Sequence, residues 1–250
     1  YLKTRDKKYL HRANCLHDPA YLEQQRQVIG NKVAQFKRFS PLSYYAYEEP
    51  SLTHYGDAFD LCFSEHTLTA FRKWLTGQYG TLDALNGQWG TSFGGWDEVV
   101  PDDTFGAQER GNYSSWADHR TFMEISYAEN YAYVREQVRE VDDDGLVMMT
   151  GTQRTVPHNG YDYYLIDQAI DHTQPYGEPA RHKAFMRAGG KITGCTGYGV
   201  WGPKLDYELW SRLFAGHTAG SAIFWQFSTI DPDYRLCKSG RDMVNIFGEL

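Results

Sequence analysis

The sequence predicts an α/β fold in which a parallel β-sheet is covered by helices. Runs typical of strands alternate with amphipathic helices, and the strand runs are mostly too apolar to face water. Five strands are predicted, whereas a closed (β/α)₈ barrel needs eight parallel strands. From these residues alone, either three strands precede Tyr1 or the sheet is open.

The predicted strands are short apolar runs bounded by turn residues. They cover residues 41–47, 146–150, 169–176, 191–198 and 221–227. The run at 169–176 has the weakest apolar pattern, and the run at 221–227 reads SAIFWQF.

The predicted helices fit between these strands. Asp18-Pro19 is a typical helix start, because Asp caps a helix and Pro suits its first position, and an apolar face continues to about Arg38. Residues 90–115, rich in Gly, Asp and Pro, predict a long excursion. Further helices are predicted over 66–79, 81–89, 117–141, 163–168, 181–188 and 205–215.

The bulk composition excludes some classes of protein. Of the 250 residues, 41 % are apolar and 23 % charged, which favours a packed core in one large domain or two small ones. A net charge of −7 argues against nucleic acid as the main partner. No run approaches the ~20 apolar residues of a membrane helix. The four cysteines lie far apart, form no CxxC pair and are interpreted as isolated thiols: Cys15, Cys62, Cys195 and Cys237.

Aromatic residues make up 16 % of the chain, with 19 Tyr and 7 Trp. Aromatic faces stack on sugar rings, and tyrosine hydroxyls can bind sugar hydroxyls. Aromatic side chains also fill ordinary cores. Composition alone favours the core interpretation.

The first predicted strand ends in carboxylates, in the order Glu48-Glu49-Pro50. Barrel enzymes place catalytic groups at the C-terminal ends of their strands. Because adjacent strand residues face opposite ways, only one of the two glutamates is expected to point into a pocket. The alternative is that both are ordinary loop acids beside a proline.

A long block after this strand resembles glycoside hydrolase family 42, the β-galactosidases, and related barrel hydrolases of the same clan. The block runs from Asp60 to Leu75 and continues through Tyr79-Gly-Thr-Leu-Asp-Ala-Leu-Asn86, Gln88-Trp-Gly-Thr-Ser92 and Trp96-Asp-Glu98. The resemblance extends over residues 18–248, nearly the whole chain.

The resemblance implies that the fold is a (β/α)₈ TIM barrel. The chain, residues 1–250, would be a partial catalytic barrel covering about strands 4–8, with strands 1–3 before Tyr1. Residues 41–47 would form strand 4, residues 57–116 a helical insertion after it, and residues 221–227 strand 8.

The resemblance also implies a pair of catalytic carboxylates. By its position before Pro50-Ser51-Leu52, Glu49 matches the acid/base donor at the end of strand 4. Glu48 replaces the Asn or Asp that precedes the donor in the family, and it is expected to bind substrate. The family places the nucleophile at the end of strand 7, but residues 191–199 contain no carboxylate.

Glu178 follows the predicted strand at 169–176, which would be barrel strand 6, and it is the nearest alternative nucleophile. Three explanations stay open: the strand register differs, another carboxylate such as Glu178 or Asp162 serves, or the protein binds sugars without cleaving them. Further sugar contacts are expected at the strand ends: Gln153, Asn159, Asp162, Tyr176, Trp201 and Trp225. The alternative roles for these residues are helix caps and tryptophans packed in the core.

No metal or cofactor is predicted. Some family 42 members hold a structural zinc through clustered cysteines, but here Cys62 remains while Ser64 and Thr67 stand in place of the others, and one thiolate cannot hold a structural zinc. The expected partner is a carbohydrate, and a homo-oligomer stays open because family members are often trimers.

The leading hypothesis is hydrolysis of a β-linked, galactoside-like substrate. The alternatives are a catalytically inactive carbohydrate-binding barrel and a hydrolase fragment that lacks the usual nucleophile.

Overall fold

The computed structural model describes residues 1–49, 51–53, 60–150, 160–174, 184, 189, 191–193, 203–214 and 230–249. The chain divides into two compact units. The first comprises Tyr1–Tyr44, Ser51–Gly145 and Arg154–Ala169, and the second comprises Tyr45–Pro50, Leu146–Gln153 and Ile170–Leu250.

The described part of the first unit is mainly helical. Short 3₁₀ helices cover Lys7–Leu10, Lys37–Phe39 and Trp96–Glu98. The α-helices are α1 (Pro19–Phe36), α2 (Glu65–Tyr79), α3 (Leu82–Trp89), α4 (Thr104–Arg110), α5 (Ser114–Arg139) and α6 (Tyr163–Ala169).

The helix starts follow from capping residues in the sequence. The Asp18 carboxylate accepts the Ala20 N–H at 2.9 Å, and Pro19 occupies the first position of α1, as predicted. The side chains of Ser64 and Thr81 accept backbone N–H groups at the starts of α2 and α3. The predicted excursion at 90–115 contains the short helix α4, which lacks a periodic apolar face long enough to be recognised.

The core of the first unit is rich in aromatic rings. Trp89, Phe71 and Tyr131 are fully buried, and α5 packs against α1 and α6. The main apolar cluster comprises Cys15, Leu61, Cys62, Phe71, Leu75, Leu85, Trp89, Val99, Phe122 and Met123.

Four strands form one sheet in the order β1-β2-β3-β4. They are β1 (Tyr44–Glu48), β2 (Val147–Thr150), β3 (His172–Gln174) and β4 (Ile192–Thr193). β3 runs parallel to both β2 and β4, which confirms the predicted parallel sheet for these strands. The second unit also contains α7 (Pro203–Phe214) and α8 (Lys238–Glu249).

Burial differs sharply between the first two strands. All four residues of β2 are buried, as expected for a parallel sheet covered on both faces. The prediction that the first strand is buried is wrong for Tyr45, whose side chain is 60 % exposed. β1 is the first strand in the order of the described sheet. Among the described strands, only β2 is hydrogen-bonded to it, along one edge.

Two predicted elements lie outside the described residues: the strand at 221–227 and, apart from Ala184, the helix at 181–188. Helix α8 was not among the predicted elements, although its sequence is amphipathic. Among the described helices, none combines the length and apolar character needed to cross a membrane.

Candidate active site

The candidate site begins where β1 ends. Glu49 follows the last residue of β1, and its N–H donates to the carbonyl of Thr150, the last residue of β2, at 3.0 Å. The C-terminal ends of these two strands therefore meet at the same edge of the sheet. This is the edge at which barrel enzymes place their catalytic groups.

The end of β3 lies at the same edge. Thr150 is paired in register with Gln174, and its hydroxyl donates to the Gln174 carbonyl at 3.4 Å. We call this row of strand ends, formed by Glu49, Thr150 and Gln174, the strand edge. The sequence analysis did not single out Thr150, although it is the last residue of a predicted apolar strand.

Glu49 has a left-handed backbone conformation, with φ of 46°. Only glycine adopts this region without a steric cost, and non-glycine residues held there concentrate at functional sites. The residue before a proline normally prefers extended backbone, so the sequence did not predict this conformation. Because Glu49 lies beyond the regular strand, strict alternation of faces no longer applies to it.

The two adjacent glutamates differ in burial. Glu48, the last residue of β1, is exposed, whereas Glu49 is half-buried. Partial burial favours the neutral form of a carboxyl group, which a proton donor must retain near neutral pH. Burial therefore supports Glu49 rather than Glu48 as the donor.

The neighbouring strand β3 contributes no positive charge near this edge. His172 and Thr173 are both buried, and burial lowers the pKa of the His172 imidazole. The ring is therefore neutral around pH 7.

Asp162 has a structural role at the start of α6. Its Oδ1 accepts the N–H groups of Tyr164 at 2.9 Å and Leu165 at 3.3 Å, so the helix cap that the sequence left open is formed. Burial, followed by the charge of Asp162, raises the pKa of Glu124 on α5. Sugar binding by Asp162 stays a prediction.

The other sequence candidates lie outside the described residues. They are the second catalytic candidate Glu178 and the sugar-contact candidates Gln153, Asn159, Tyr176, Trp201 and Trp225.

The described cysteines are free thiols, as the sequence indicated, but two of them lie close together in the fold. The sulfur atoms of Cys15 and Cys62 both hydrogen-bond to one hydroxyl, Ser64 Oγ. Ser64 Oγ lies 3.1 Å from Cys15 Sγ, and Thr67 Oγ1 lies 3.2 Å from it. Spacing along the sequence held no sign of this contact, which depends on the tertiary fold.

This cluster does not fit a structural zinc. It offers two thiols and two hydroxyls, whereas structural zinc sites use four Cys or His ligands. Within the described ranges, no three His, Cys, Asp or Glu side chains are grouped so that they could hold a metal ion.

Known proteins of one glycoside hydrolase family match most of this chain. The model of glycoside hydrolase family 42, described as beta-galactosidase, matches residues 4–183. The β-galactosidase bgaB of Geobacillus kaustophilus is 30 % identical over 135 residues, which make up 52 % of this chain and 19 % of that protein.

Solved structures show the same fold at low sequence identity. The β-galactosidase of the psychrophilic Marinomonas ef1 superposes with a TM-score of 0.70 at 17 % identity, covering 94 % of this chain and 43 % of that one. The catalytic domain of a β-amylase from Paenibacillus polymyxa superposes with a TM-score of 0.69 at 14 % identity, covering 91 % and 68 % respectively.

These structures place the chain in the fold class of the (β/α)₈ barrels. The chain belongs to glycoside hydrolase family 42. It spans about a fifth of the length of the Geobacillus relative, 19 %.

Proposed function

We propose that this chain carries the acid/base carboxylate of a glycoside hydrolase that cleaves a β-linked galactoside, with Glu49 as the proton donor. The observation that supports this most directly is the position of Glu49. It is half-buried, follows β1, has a left-handed backbone and is tied to the end of β2. Family membership and the names of the curated relatives support the galactoside as substrate.

The chemistry requires two successive proton transfers at Glu49. The Glu49 carboxyl group donates its proton to the glycosidic oxygen as the bond from that oxygen to the anomeric carbon breaks, and a second carboxylate bonds to that carbon. The Glu49 carboxylate then takes a proton from a water molecule, whose oxygen displaces the second carboxylate from the anomeric carbon, so both carboxyl groups are ready for another cycle. A half-buried position supports the first step, because it disfavours the charged form between turnovers.

The second carboxylate in this proposal is Glu178, which follows β3 in the sequence. The family places its nucleophile one strand later, where no carboxylate occurs in residues 191–199. Sugar contacts are assigned to the remaining strand-end candidates: Glu48, Gln153, Asn159, Asp162, Tyr176, Trp201 and Trp225.

The proposal also assigns the strands to a barrel. β1 to β4 would be barrel strands 4–7, residues 221–227 would be strand 8, and residues 57–116 would form the insertion after strand 4. The strand order supports this assignment, because neighbours in the sheet follow one another in sequence. A doubly wound open sheet instead reverses its strand order at a switch point.

Substitution of Glu49 by Gln tests the donor role. The isosteric amide cannot donate the proton, so kcat for lactose should fall by roughly 10²–10⁴-fold with KM little changed. The loss should be smaller for a nitrophenyl β-galactoside, because a nitrophenolate leaves without a proton. Steady-state kinetics on both substrates measures this difference.

Glu109→Gln is the control, since it removes an exposed carboxylate of α4 that has no role in the proposed site. It should retain most of kcat on both substrates. An equal loss in the two variants, or full activity in Glu49→Gln, would contradict the assignment. A wild-type protein that turns over neither substrate but gains thermal stability from galactose would support the carbohydrate-binding alternative.

A further inference from the structure

Two cysteines from distant parts of the first unit meet in its core. Cys15 lies between the first 3₁₀ helix and α1, whereas Cys62 lies three residues before α2. They are only 3 % and 4 % exposed, and both sulfur atoms hydrogen-bond to the same hydroxyl, Ser64 Oγ. Two sulfur atoms that share one hydroxyl partner can approach to the ~2.05 Å of a disulfide once that hydroxyl turns aside. We call these two residues the thiol pair.

Hydroxyl groups at the start of α2 surround the thiol pair. Ser64 Oγ lies 3.1 Å from Cys15 Sγ and 3.4 Å from Cys62 Sγ, and Thr67 Oγ1 lies 3.2 Å from Cys15 Sγ. The hydrogen bond from Cys62, followed by those from Ser64 and Thr67, lowers the pKa of Cys15, while the pKa of Cys62 is raised. Hydrogen bonds from these hydroxyls favour the thiolate form of Cys15, which is the nucleophilic form of a cysteine.

Small molecules have space beside the thiol pair. Both cysteines line a cavity of about 290 Å³. A hydroperoxide is far smaller than this volume. The other lining residues are Arg12, Ala13, Asn14, Leu16, Ser51, Leu52 and Met123.

We propose that Cys15 and Cys62 are a redox-modification site, at which a hydroperoxide converts the two thiols into a reversible disulfide. This inference does not depend on the proposed hydrolase activity. It rests on the Ser64 hydroxyl that both sulfur atoms share and on the adjoining cavity.

The reaction proceeds in two balanced steps. The Cys15 thiolate attacks one peroxide oxygen, so an S–O bond forms, the O–O bond breaks, and the leaving oxygen takes a proton to become water or an alcohol. Cys15 is then a sulfenic acid. The Cys62 sulfur attacks that sulfur, the S–S bond forms and the S–O bond breaks. The departing hydroxide leaves as water with the proton of Cys62.

The disulfide would close a long loop of the chain. This loop contains α1, β1 and both Glu48 and Glu49. A crosslink across a loop of this length restricts the unfolded chain, so oxidation should raise the Tm by on the order of 10 °C.

The test uses the full chain treated with hydrogen peroxide. After denaturation and alkylation, peptide mass spectrometry should find a Cys15–Cys62 linked peptide, and a thiol assay should find two of the four cysteines lost. Dithiothreitol should restore both thiols and reverse the rise in Tm. Because these measurements use the wild-type protein, they do not depend on any variant folding.

Two variants serve as controls. Cys15→Ser should abolish both the linked peptide and the rise in Tm, whereas Cys237→Ser should respond to peroxide as the wild type does. The proposal is overturned if Cys15 is oxidised to the sulfinic acid while Cys62 keeps a free thiol. It is also overturned if both thiols stay reduced at peroxide concentrations that fully oxidise free cysteine under the same conditions.

Discussion

Two regions of the molecule are stabilised in different ways. One is the block of residues that identifies the family, and the other is the strand edge, which carries the candidate donor. Residues 60–98, which we call the motif region, are held by buried side-chain hydrogen bonds and aromatic packing. The strand edge is joined by the backbone bond from Glu49 to Thr150 and the bond from Thr150 to Gln174. The residues that identify the family are therefore mainly scaffold, while the candidate chemistry depends on a short and strained segment.

Asp60 and Trp89 illustrate the scaffold role of the motif region. The Asp60 carboxylate accepts hydrogen bonds from the Thr104 N–H at 3.0 Å, the Thr104 hydroxyl at 2.8 Å and Arg120 at 3.1 Å. Trp89 is fully buried, and its Nε1–H donates to Asp118 at 2.7 Å. Such buried polar groups need their partners, because an unpaired buried charge is costly.

The largest expected effect comes from neutralising Asp60. The Asp60–Arg120 pair is almost fully buried, with side chains 4 % and 7 % exposed. Asp60→Asn removes the carboxylate charge that the buried Arg120 guanidinium faces, so the free energy of unfolding should fall by about 3–5 kcal/mol. Urea unfolding followed by circular dichroism measures the loss. Glu109→Gln on exposed α4 is the control, and a similar loss there would show that the effect is not specific to the buried pair.

The second expected effect is a pH dependence from His119. Burial lowers the pKa of His119 to about 3, and the neutral ring can donate its Nε2–H to the Cys62 carbonyl at 3.1 Å. Since an unfolded histidine has a pKa of about 6.5, the unfolded state binds the proton first. Stability should therefore fall as the pH drops below about 6.5, by about 1 kcal/mol per pH unit.

His119→Gln separates this effect from the titration of carboxylates. Glutamine keeps an N–H donor for the Cys62 carbonyl but does not titrate, so its stability should fall less steeply between about pH 6 and pH 4. Exposed His11→Gln is the control and should keep the wild-type slope. Equal slopes in wild type and His119→Gln would contradict the role of His119.

The smallest expected effect tests backbone strain at the strand edge. At φ of 46° a glycine is unstrained, whereas alanine has a steric cost, so Glu49→Gly should be more stable than Glu49→Ala by about 1 kcal/mol. In the regular strand the order should reverse, with Glu48→Ala more stable than Glu48→Gly. Thermal unfolding of the four variants measures both differences. The same order at both positions would show that Glu49 is not strained.

Local signals in the sequence predicted much of the fold. Asp18 and Pro19 mark the start of α1, and the apolar run before Thr150 marks β2, because capping and burial act within a few residues. The contact between Cys15 and Cys62 was missed, since it depends on how distant segments pack.

The candidate site was predictable only in part. The position of Glu49 at a strand end followed from the apolar run and from the family resemblance. Its left-handed backbone did not, because a residue before proline normally prefers extended conformations. The exposure of Tyr45 was also not predicted, since it depends on the position of β1 in the sheet.

The bond from the Glu49 amide to the Thr150 carbonyl has a practical consequence for protein engineering. It ties the position of the carboxyl group to β2, which is buried along its whole length, and not only to the partly exposed β1. Substitutions in the buried strand β2 should therefore displace the donor, although they lie outside the strand that carries it.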